Sequence, residues 1–430
     1  MTGTIAPAQE SGLAGTDAEF VRVLYSFPHK IGAARICMAA WHYVDELSAA
    51  GADVLVYPGA VARPLPATVR VRPTLARGRV RIPYRALGQL RALALHDRIV
   101  ARRLPTLVGE VDVVHTWPSG ALETLKAARR LGIPSVLERP NSHTRHAYDV
   151  VRLEAEALNV TLPPDHEHAF NAAALRREEE EYSLADRLLC PSPFVAQTFL
   201  DEGFPAEKLA PHIYGFDEST FFPDEAPRET GRPLRAIFVG ANALRKGLHY
   251  ALEAWLRSSA KEDGELLVLG EFPPGYGATL GEMLDHPSVK MLGYRSDYPE
   301  LLRASDVLVL PTIEEGSPLV CVDALASGCV PVVSDVCAGV CRHMENAVVH
   351  PVRDVDTLAR HLTLLNEDRA LLASLRAAGL RSAPEYTWTA AGATLLGVYR
   401  EVIEWSAQAR PDLRRRTIEH RDSDRATQVV

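Results

Sequence analysis

Two carboxylates eight residues apart, Glu315 and Asp323, stand in L-P-T-I-E-E-G-S-P-L-V-C-V-D-A-L-A-S-G-C-V-P-V-V-S, residues 310–334. Asp323 interrupts an almost wholly apolar run, where an unsatisfied carboxylate is expensive to bury. A carboxylate only accepts hydrogen bonds, through two oxygens, so a vicinal diol suits it. A core arginine or hydroxyl would satisfy it too. Glu315 just precedes an expected helix start, where helix-end electrostatics alone could account for an acid. Two cations, Arg245 and Lys246, follow an apolar run that ends at Gly240. If a helix begins near Lys246, its dipole opposes them by ~0.3–1 kcal/mol each. An anion bound between them reverses that sign, because helix amides and both side chains then stabilise it. A solvated basic pair is the plain alternative.

The elements that must position these residues alternate. Around the acid pair the pattern predicts a strand at 307–310, a loop, a buried helix of about ten residues and a strand at 329–334. Ser317 is a natural N-cap, Pro318 a natural first helical residue and Gly328 a left-handed residue past the end. Upstream, a strand at 21–27, a turn at Gly32, a helix to residue 50 and a strand at 53–57 make a βαβ opening. It lacks the full G-x-G-x-x-G. Strands follow at 111–115, 134–138, 186–190 and 209–213, with helices at 84–103, 120–131, 170–184 and 192–202. Residues 150–168 have no readable pattern. A second series has strands at 235–239, 265–269 and 289–292, and helices beginning near Lys246, Ala278, Pro299 and Pro318. Helices at 355–365, 369–378 and 387–407 close it. Such alternation predicts α/β architecture with parallel sheets covered on both faces. Two doubly wound domains side by side place a ligand in the cleft between their strand carboxyl ends. We expect a disordered leader (1–19), a first domain (20–216), a linker (217–232), a second domain (233–386) and a disordered tail (408–430).

Length and composition agree with this division. A chain of 430 residues is too long for one ordinary core. Its 47% hydrophobic and 24% charged residues are those of a globular protein, and no apolar run approaches a membrane span. The first twenty residues lack a basic-then-apolar export signal, so a cytoplasmic protein is expected. The spacings of Cys321, Cys329, Cys337 and Cys341 do not suggest a zinc site, and buried free thiols are expected. The net charge of −8 argues against a general nucleic-acid binder. The stretch 61–105 is the exception, with eleven arginines and one acid, Asp97.

R-K-G at 245–247 followed by E-G-S-P-L-V-C-V-D-A-L-A-S-G-C-V-P-V-V resembles the retaining GT-B glycosyltransferases of family 4. E-Y-S-L-A-D-R-L-L-C-P-S-P-F-V (181–195), I-Y-G-F-D (213–217), V-K-M-L-G-Y (289–294), A-S-D-V-L-V-L-P-T (304–312) and Y-T-W (386–388) resemble other segments of the family, in the same order. The resemblance implies a GT-B fold of two doubly wound, Rossmann-like domains facing a cleft, with the C-terminal helix (388–407) crossing back to the first domain. It implies transfer of a hexosyl or related group from a nucleoside-diphosphate sugar, of UDP or GDP type, to an acceptor hydroxyl. Front-face substitution with retention is the implied route, with no cofactor beyond this co-substrate and no dedicated metal.

Residue by residue, the resemblance implies that Arg245 and Lys246 hold the donor diphosphate and that Glu315 contacts the sugar or orients its loop. Asp323 would bind the ribose hydroxyls. The backbone of Gly316, Ser317, Pro318 and Leu319 would lie near the transferred sugar and phosphate, and Gly32 and Gly240 would allow close approach to the donor. His143 is the expected first-domain histidine of the site, with His146 as the alternative. Arg139, Asn141 and His115 are expected on the acceptor side. The chain departs from the family in having Asp323 for the usual glutamate, Ala241 where an arginine is frequent, and Arg139–Ser142 ahead of His143. These departures keep two alternatives open: a pseudo-transferase on the same fold, or a nucleotide-binding protein without turnover. The resemblance leaves the acceptor open among a glycan, a glycolipid and a small metabolite. The arginine block is either a solvated face or a contact for an anionic acceptor or for lipid at the inner membrane face, at ~1 kcal/mol per basic residue.

Overall fold

A computed structural model of the chain describes residues 20–34, 36–77, 80–81, 87–224, 231–241, 244–272 and 275–411. The expected leader, part of the linker (225–230), the tail from residue 412, and Arg79 and Arg85 lie outside them.

The first sheet comprises β1 (Arg22–Ile31), β2 (Asp53–Val61), β3 (Arg70–Val71), β4 (Val113–Thr116), β5 (Ser135–Glu138), β6 (Arg187–Cys190) and β7 (Leu209–Pro211). They pair in parallel in the order β3-β2-β1-β4-β5-β6-β7. The second comprises β8 (Arg235–Val239), β9 (Glu265–Leu269), β10 (Val289–Gly293), β11 (Val307–Leu310), β12 (Val330–Ser334) and β13 (Val348–His350). It is also parallel, in the order β10-β9-β8-β11-β12-β13. Central strands are covered on both faces, which is why β11 reads as an unbroken apolar run and is wholly buried. Each order reverses once, between β1 and β4 and between β8 and β11. Ligands bind outside the strand carboxyl ends at such points.

Helices α1 (Ile36–Ala49), α2 (Gln89–Arg103), α3 (Leu122–Arg130), α4 (Thr144–Ala157), α5 (Ala172–Leu184) and α6 (Pro193–Asp201) belong to the first domain. Helices α7 (Leu248–Arg257), α8 (Tyr276–Leu280), α9 (Tyr298–Ala304), α10 (Leu319–Ala326), α11 (Val355–Glu367) and α12 (Arg369–Ser382) belong to the second. Helix α13 (Trp388–Ala409) crosses back, as the resemblance implied. Its buried residues, Trp388, Ala391, Leu395, Tyr399, Val402 and Ser406, recur at helical spacing and face the first domain. The Tyr399 hydroxyl lies 2.8 Å from His115 Nδ1. The chain passes between the domains twice, and the two passages touch. Phe216 N donates to Tyr386 O at 3.1 Å, and a Cβ on Gly215 would lie 2.4 Å from Trp388 N.

Several boundaries differ from expectation for identifiable reasons. Helix α10 is capped by Pro318, not Ser317, and starts at Leu319. Gly316 is pressed against Pro140 of the first domain, and the chain stays extended through Pro318 (ψ 116°) before it coils. Helix α7 starts at Leu248, so Arg245 and Lys246 lie in the preceding turn and not in the helix. Gly247 caps it in the left-handed region at φ 72°, where a Cβ would lie 2.0 Å from Pro311 O. Helix α4 covers residues 144–157 and so takes in the first part, 150–157, of the stretch without a readable pattern. It buries Glu154 among its apolar residues, which blurs the periodicity. Strand β13, three residues long, was not expected.

Candidate active site in the interdomain cleft

Strands β8 and β9 end in an apolar residue followed by glycine, Val239-Gly240 and Leu269-Gly270, and β10 ends on its own Leu292-Gly293 pair. A Cβ on Gly270, at φ +139°, would lie 1.8 Å from Gly240 O, so the ends of β8 and β9 lie side by side only because Gly270 has no side chain. They form one wall of a cavity of about 570 Å³. Met38 and His42 of α1, with Phe216 and Trp388 of the crossing, form the opposite wall. The volume falls within the ~300–1,000 Å³ of small-molecule sites.

Asp323 is on this wall, 7% exposed. The Tyr298 hydroxyl donates a hydrogen bond to its Oδ2. A hydroxyl partner, one of the alternatives read from the sequence, is therefore present, and it stands on the cavity wall as well. Burial pushes the Asp323 carboxyl up to about 8, against the opposing effect of the Tyr298 hydrogen bond.

The cations stand at the switch point of the second sheet. Gly240 adjoins them directly, since a Cβ there would lie 2.9 Å from Lys246 Cγ. Lys246 is ion-paired with Glu315, and Arg245 Nη1 lies 3.3 Å from the same carboxylate oxygen. Arg245 Nη1 also donates to Glu314 O at 2.7 Å and lies 3.2 Å from Glu314 Oε2. Two cations thus face two carboxylates in a buried cluster. Burial alone would raise both acids. The adjacent His168 ring, the charge of Arg245 and the Ser142 hydroxyl hold Glu314 well below the usual range, and Lys246 and Arg245 lower Glu315.

Glu314 was legible in the sequence only as a neighbour of Glu315. It is fully buried and joins the two domains. Ser142 of the first domain donates to its Oε1 from N at 3.1 Å and from Oγ at 2.7 Å. His168 Nε2, from the loop after α4, lies 3.7 Å from its Oε2. Beside it, a Cβ on Gly316 would fall 1.7 Å from Pro140 O and 3.2 Å from Asn141 Cα. The expected acceptor-side residue Asn141 therefore abuts the Gly316 backbone at the seam.

Other expected site residues lie elsewhere. His143 caps α4, accepting from Arg145 N at 3.3 Å, and is packed against Tyr182 and Phe199. Burial and the nearby Arg139 charge lower it to about 3. Its place in the chain, S-H-T-R before a helix, is a capping signal. His146, the alternative, packs on Phe194. Neither lines the cavity. His115 is buried in the first domain, stacked 4.3 Å from Tyr25 and lowered to about 3 by burial, so it is no acceptor contact. Arg139 is also buried, pairing with Glu178 and donating to Ser142 O at 2.8 Å, so it braces the 139–144 loop. Gly32 adopts φ +75° and lies against Arg63, 2.6 Å from Cβ to Cβ if substituted; Ala34, two residues on, reaches the cavity. Leu319 lines the cavity, and the Ser317 hydroxyl makes no hydrogen bond among the described residues. The four clustered cysteines are free and buried.

Two family models match the chain: "Glycosyltransferase Family 4" over residues 39–211 and "Glycosyl transferases group 1" over residues 233–368. An Escherichia coli protein named UDP-Gal:alpha-D-GlcNAc-diphosphoundecaprenol alpha-1,3-galactosyltransferase is 32% identical, over 60% of this chain and 67% of its own. The chain belongs to the family 4, group 1 glycosyltransferases. A D-inositol 3-phosphate glycosyltransferase of Thermobispora bispora is 28% identical over 82% of this transferase and 86% of its own length. Among solved structures, sucrose-phosphate synthase of Thermosynechococcus elongatus superposes with a TM-score of 0.66 at 17% identity, covering 90% of this chain and 99% of that one. Anabaena HepE in complex with UDP and glucose gives 0.61 at 16%, covering 89% and 100%. These likenesses give the fold as GT-B.

Two expectations follow for the transferase. Glu315→Gln removes a carboxylate that neutralises Lys246, so inorganic pyrophosphate will bind several-fold more tightly by calorimetry. Unchanged or weaker binding would show that the pair does not compete with anions. Because the folded Asp323 carboxyl titrates above its ordinary value, the native chain holds an extra proton between roughly pH 4 and 8 and loses stability as pH rises through that window. Asp323→Asn will raise the melting temperature more at pH 8 than at pH 5. Glu181, also pushed up to about 8 by burial, retains part of the slope.

Proposed function

We propose that this glycosyltransferase moves a sugar from a nucleoside-diphosphate sugar of the UDP type to an acceptor hydroxyl, with retention at the anomeric carbon. The observation that carries this is the arrangement around Gly240. On one side of it lie Arg245 and Lys246, and on the other an open cavity with Asp323 on its wall. A diphosphate at the cations would have its nucleoside in the cavity, where Asp323 accepts hydrogen bonds from ribose hydroxyls. The Escherichia coli relative is named for UDP-galactose, and the HepE structure contains UDP and glucose, which favours UDP over GDP.

In the reaction the bond from the anomeric carbon to the phosphate oxygen breaks, and the acceptor oxygen bonds to that carbon on the same face. The acceptor proton passes to the departing phosphate. Negative charge develops on that phosphate, and Arg245 and Lys246, already fixed in place, stabilise it. These cations can do what a metal does elsewhere, so metal-independent transfer without a further cofactor is part of the proposal. A diphosphate that engages Lys246 also frees Glu315 for the sugar hydroxyls.

The acceptor side is the first domain, whose arginine block supports contact with anionic lipid at a membrane surface. Asp97, its one acid, is buried, accepts from Glu123 N and Thr124 N, and pairs with Arg177. Arg70 is neutralised by Asp53, and Arg63 lies over the Trp41 ring. Arg72, Arg91, Arg98, Arg102 and Arg103 are exposed, and Arg91, Arg98 and Arg102 share one face of α2. Among the described residues no helix is long and apolar enough to cross a membrane.

With a panel of UDP- and GDP-sugars, product formation will be seen with a UDP-sugar, the anomeric coupling in the product will match the donor, and Lys246→Ala will lower kcat by about 100-fold or more, the scale of a lost transition-state contact. Full activity in that variant would remove the diphosphate assignment. Vesicles with phosphatidylglycerol will bind the protein in low salt, neutral vesicles will not, and Arg98→Glu with Arg102→Glu will weaken the binding. Binding indifferent to salt and to these changes would remove the membrane contact.

A further inference from the structure

We infer that Tyr298 is a specificity residue of the donor site, forming with Asp323 a paired acceptor for the vicinal hydroxyls of a ribose. The inference rests on the nucleotide-sugar reading above.

Tyr298 opens α9 and Asp323 is in the second turn of α10. They are 25 residues apart in sequence and meet on one cavity wall. The Tyr298 hydroxyl has given its only proton to Asp323 Oδ2. Its own oxygen keeps lone pairs and can still accept. Asp323 Oδ1 accepts no hydrogen bond among the described residues, and it is not among the enclosed unpartnered atoms. With the carboxyl ionised, the phenol oxygen and Asp323 Oδ1 are thus two open acceptors on one cavity wall, linked through Oδ2.

The phenol is held in place. Its ring packs against Phe221 at 5.5 Å between centroids, and the side chain joins the core under the second sheet. A tyrosine has only two side-chain torsions, so fixing it costs little entropy. The arrangement also gives the shorter acid a physical account. A glutamate could offer both carboxylate oxygens to a diol. Asp323 reaches one methylene less and has one oxygen committed, so the phenol oxygen takes the second place.

A ribose that lacks one hydroxyl leaves one of these buried acceptors unpaired, and sites of this kind reject the lesser ligand strongly. The test is calorimetry on the full chain with UDP, 2′-deoxy-UDP, GDP and 2′-deoxy-GDP. For the nucleotide that binds, the ribo form will be tighter than the deoxy form by about tenfold or more in the wild type. Tyr298→Phe keeps the ring and removes the second acceptor, so the ratio will fall to about threefold or less. Tyr298→Phe combined with Asp323→Glu will regain much of it. In turnover, Tyr298→Phe will raise KM for the donor with little change in kcat, which a general loss of folding would not produce. A wild-type ratio retained in Tyr298→Phe overturns the inference and leaves the nucleotide reading standing. Tight binding with no preference for the ribo form overturns the ribose role of Asp323 and Tyr298 together. Binding of none of the four nucleotides overturns the nucleotide-sugar reading itself.

Discussion

The turn that carries Arg245 and Lys246 is bound to the loop that carries Glu314 and Glu315 through backbone, before any side-chain charge is considered. Ile313 N and Thr312 Oγ1 both donate to Arg245 O, at 3.0 and 2.9 Å. Gly247 lies against Pro311 O so closely that no side chain fits. Two loops from opposite sides of the switch point therefore form one body. Buried charges are tolerable only when paired, and here the backbone sets two cations against two acids. The same pairing makes the cluster responsive, because an arriving anion must share cations that are already engaged.

The domains meet at two places that differ in kind. At the crossing, Gly215 packs on Trp388 and Phe216 bonds to Tyr386, so two chain passages leave no room for side-chain adjustment. At the seam, Glu314 accepts from Ser142 and Gly316 touches Pro140. The crossing lines the cavity, and the cavity wall runs on through Leu319 and Val320 from the residues next to the seam. Glu314, which accepts from Ser142 of the first domain, also holds Arg245 of the second. One carboxylate therefore contacts both the domain seam and the cationic site.

Much of the fold was legible in the sequence because doubly covered strands must be apolar along their whole length. Residues 307–310 show this throughout, and 236–239 and 266–269 show it after a first charged residue, Arg235 and Glu265, which pair with each other at the strand starts. The three-residue strand at 348–350 was too short to carry a pattern, and the buried Glu154 disguised α4. Legibility of the site was narrower. The three apolar-glycine pairs at 239–240, 269–270 and 292–293 are a readable signal of strand ends open to a ligand. The residue type and rough place of His143 point to the site, but the residues after it equally mark its observed role, capping α4. Glu314, Tyr298 and His168 gave no such signal, since each acts through a partner remote in sequence.

By itself, the sequence determined which side chains are available and which local elements carry them: alternating strands and helices, cations next to a strand end, acids eight residues apart around a helix start. These follow from short-range periodicity and local backbone preference. Only the tertiary structure decided what those groups face. It turned Arg245 and Lys246 onto Glu314 and Glu315, gave Asp323 a phenol partner, withdrew His143 and His115 into the first domain, and brought His168 to the seam. Those outcomes depend on the register between two loops and the closure of two domains, where contacts span tens to hundreds of residues and no local pattern records them.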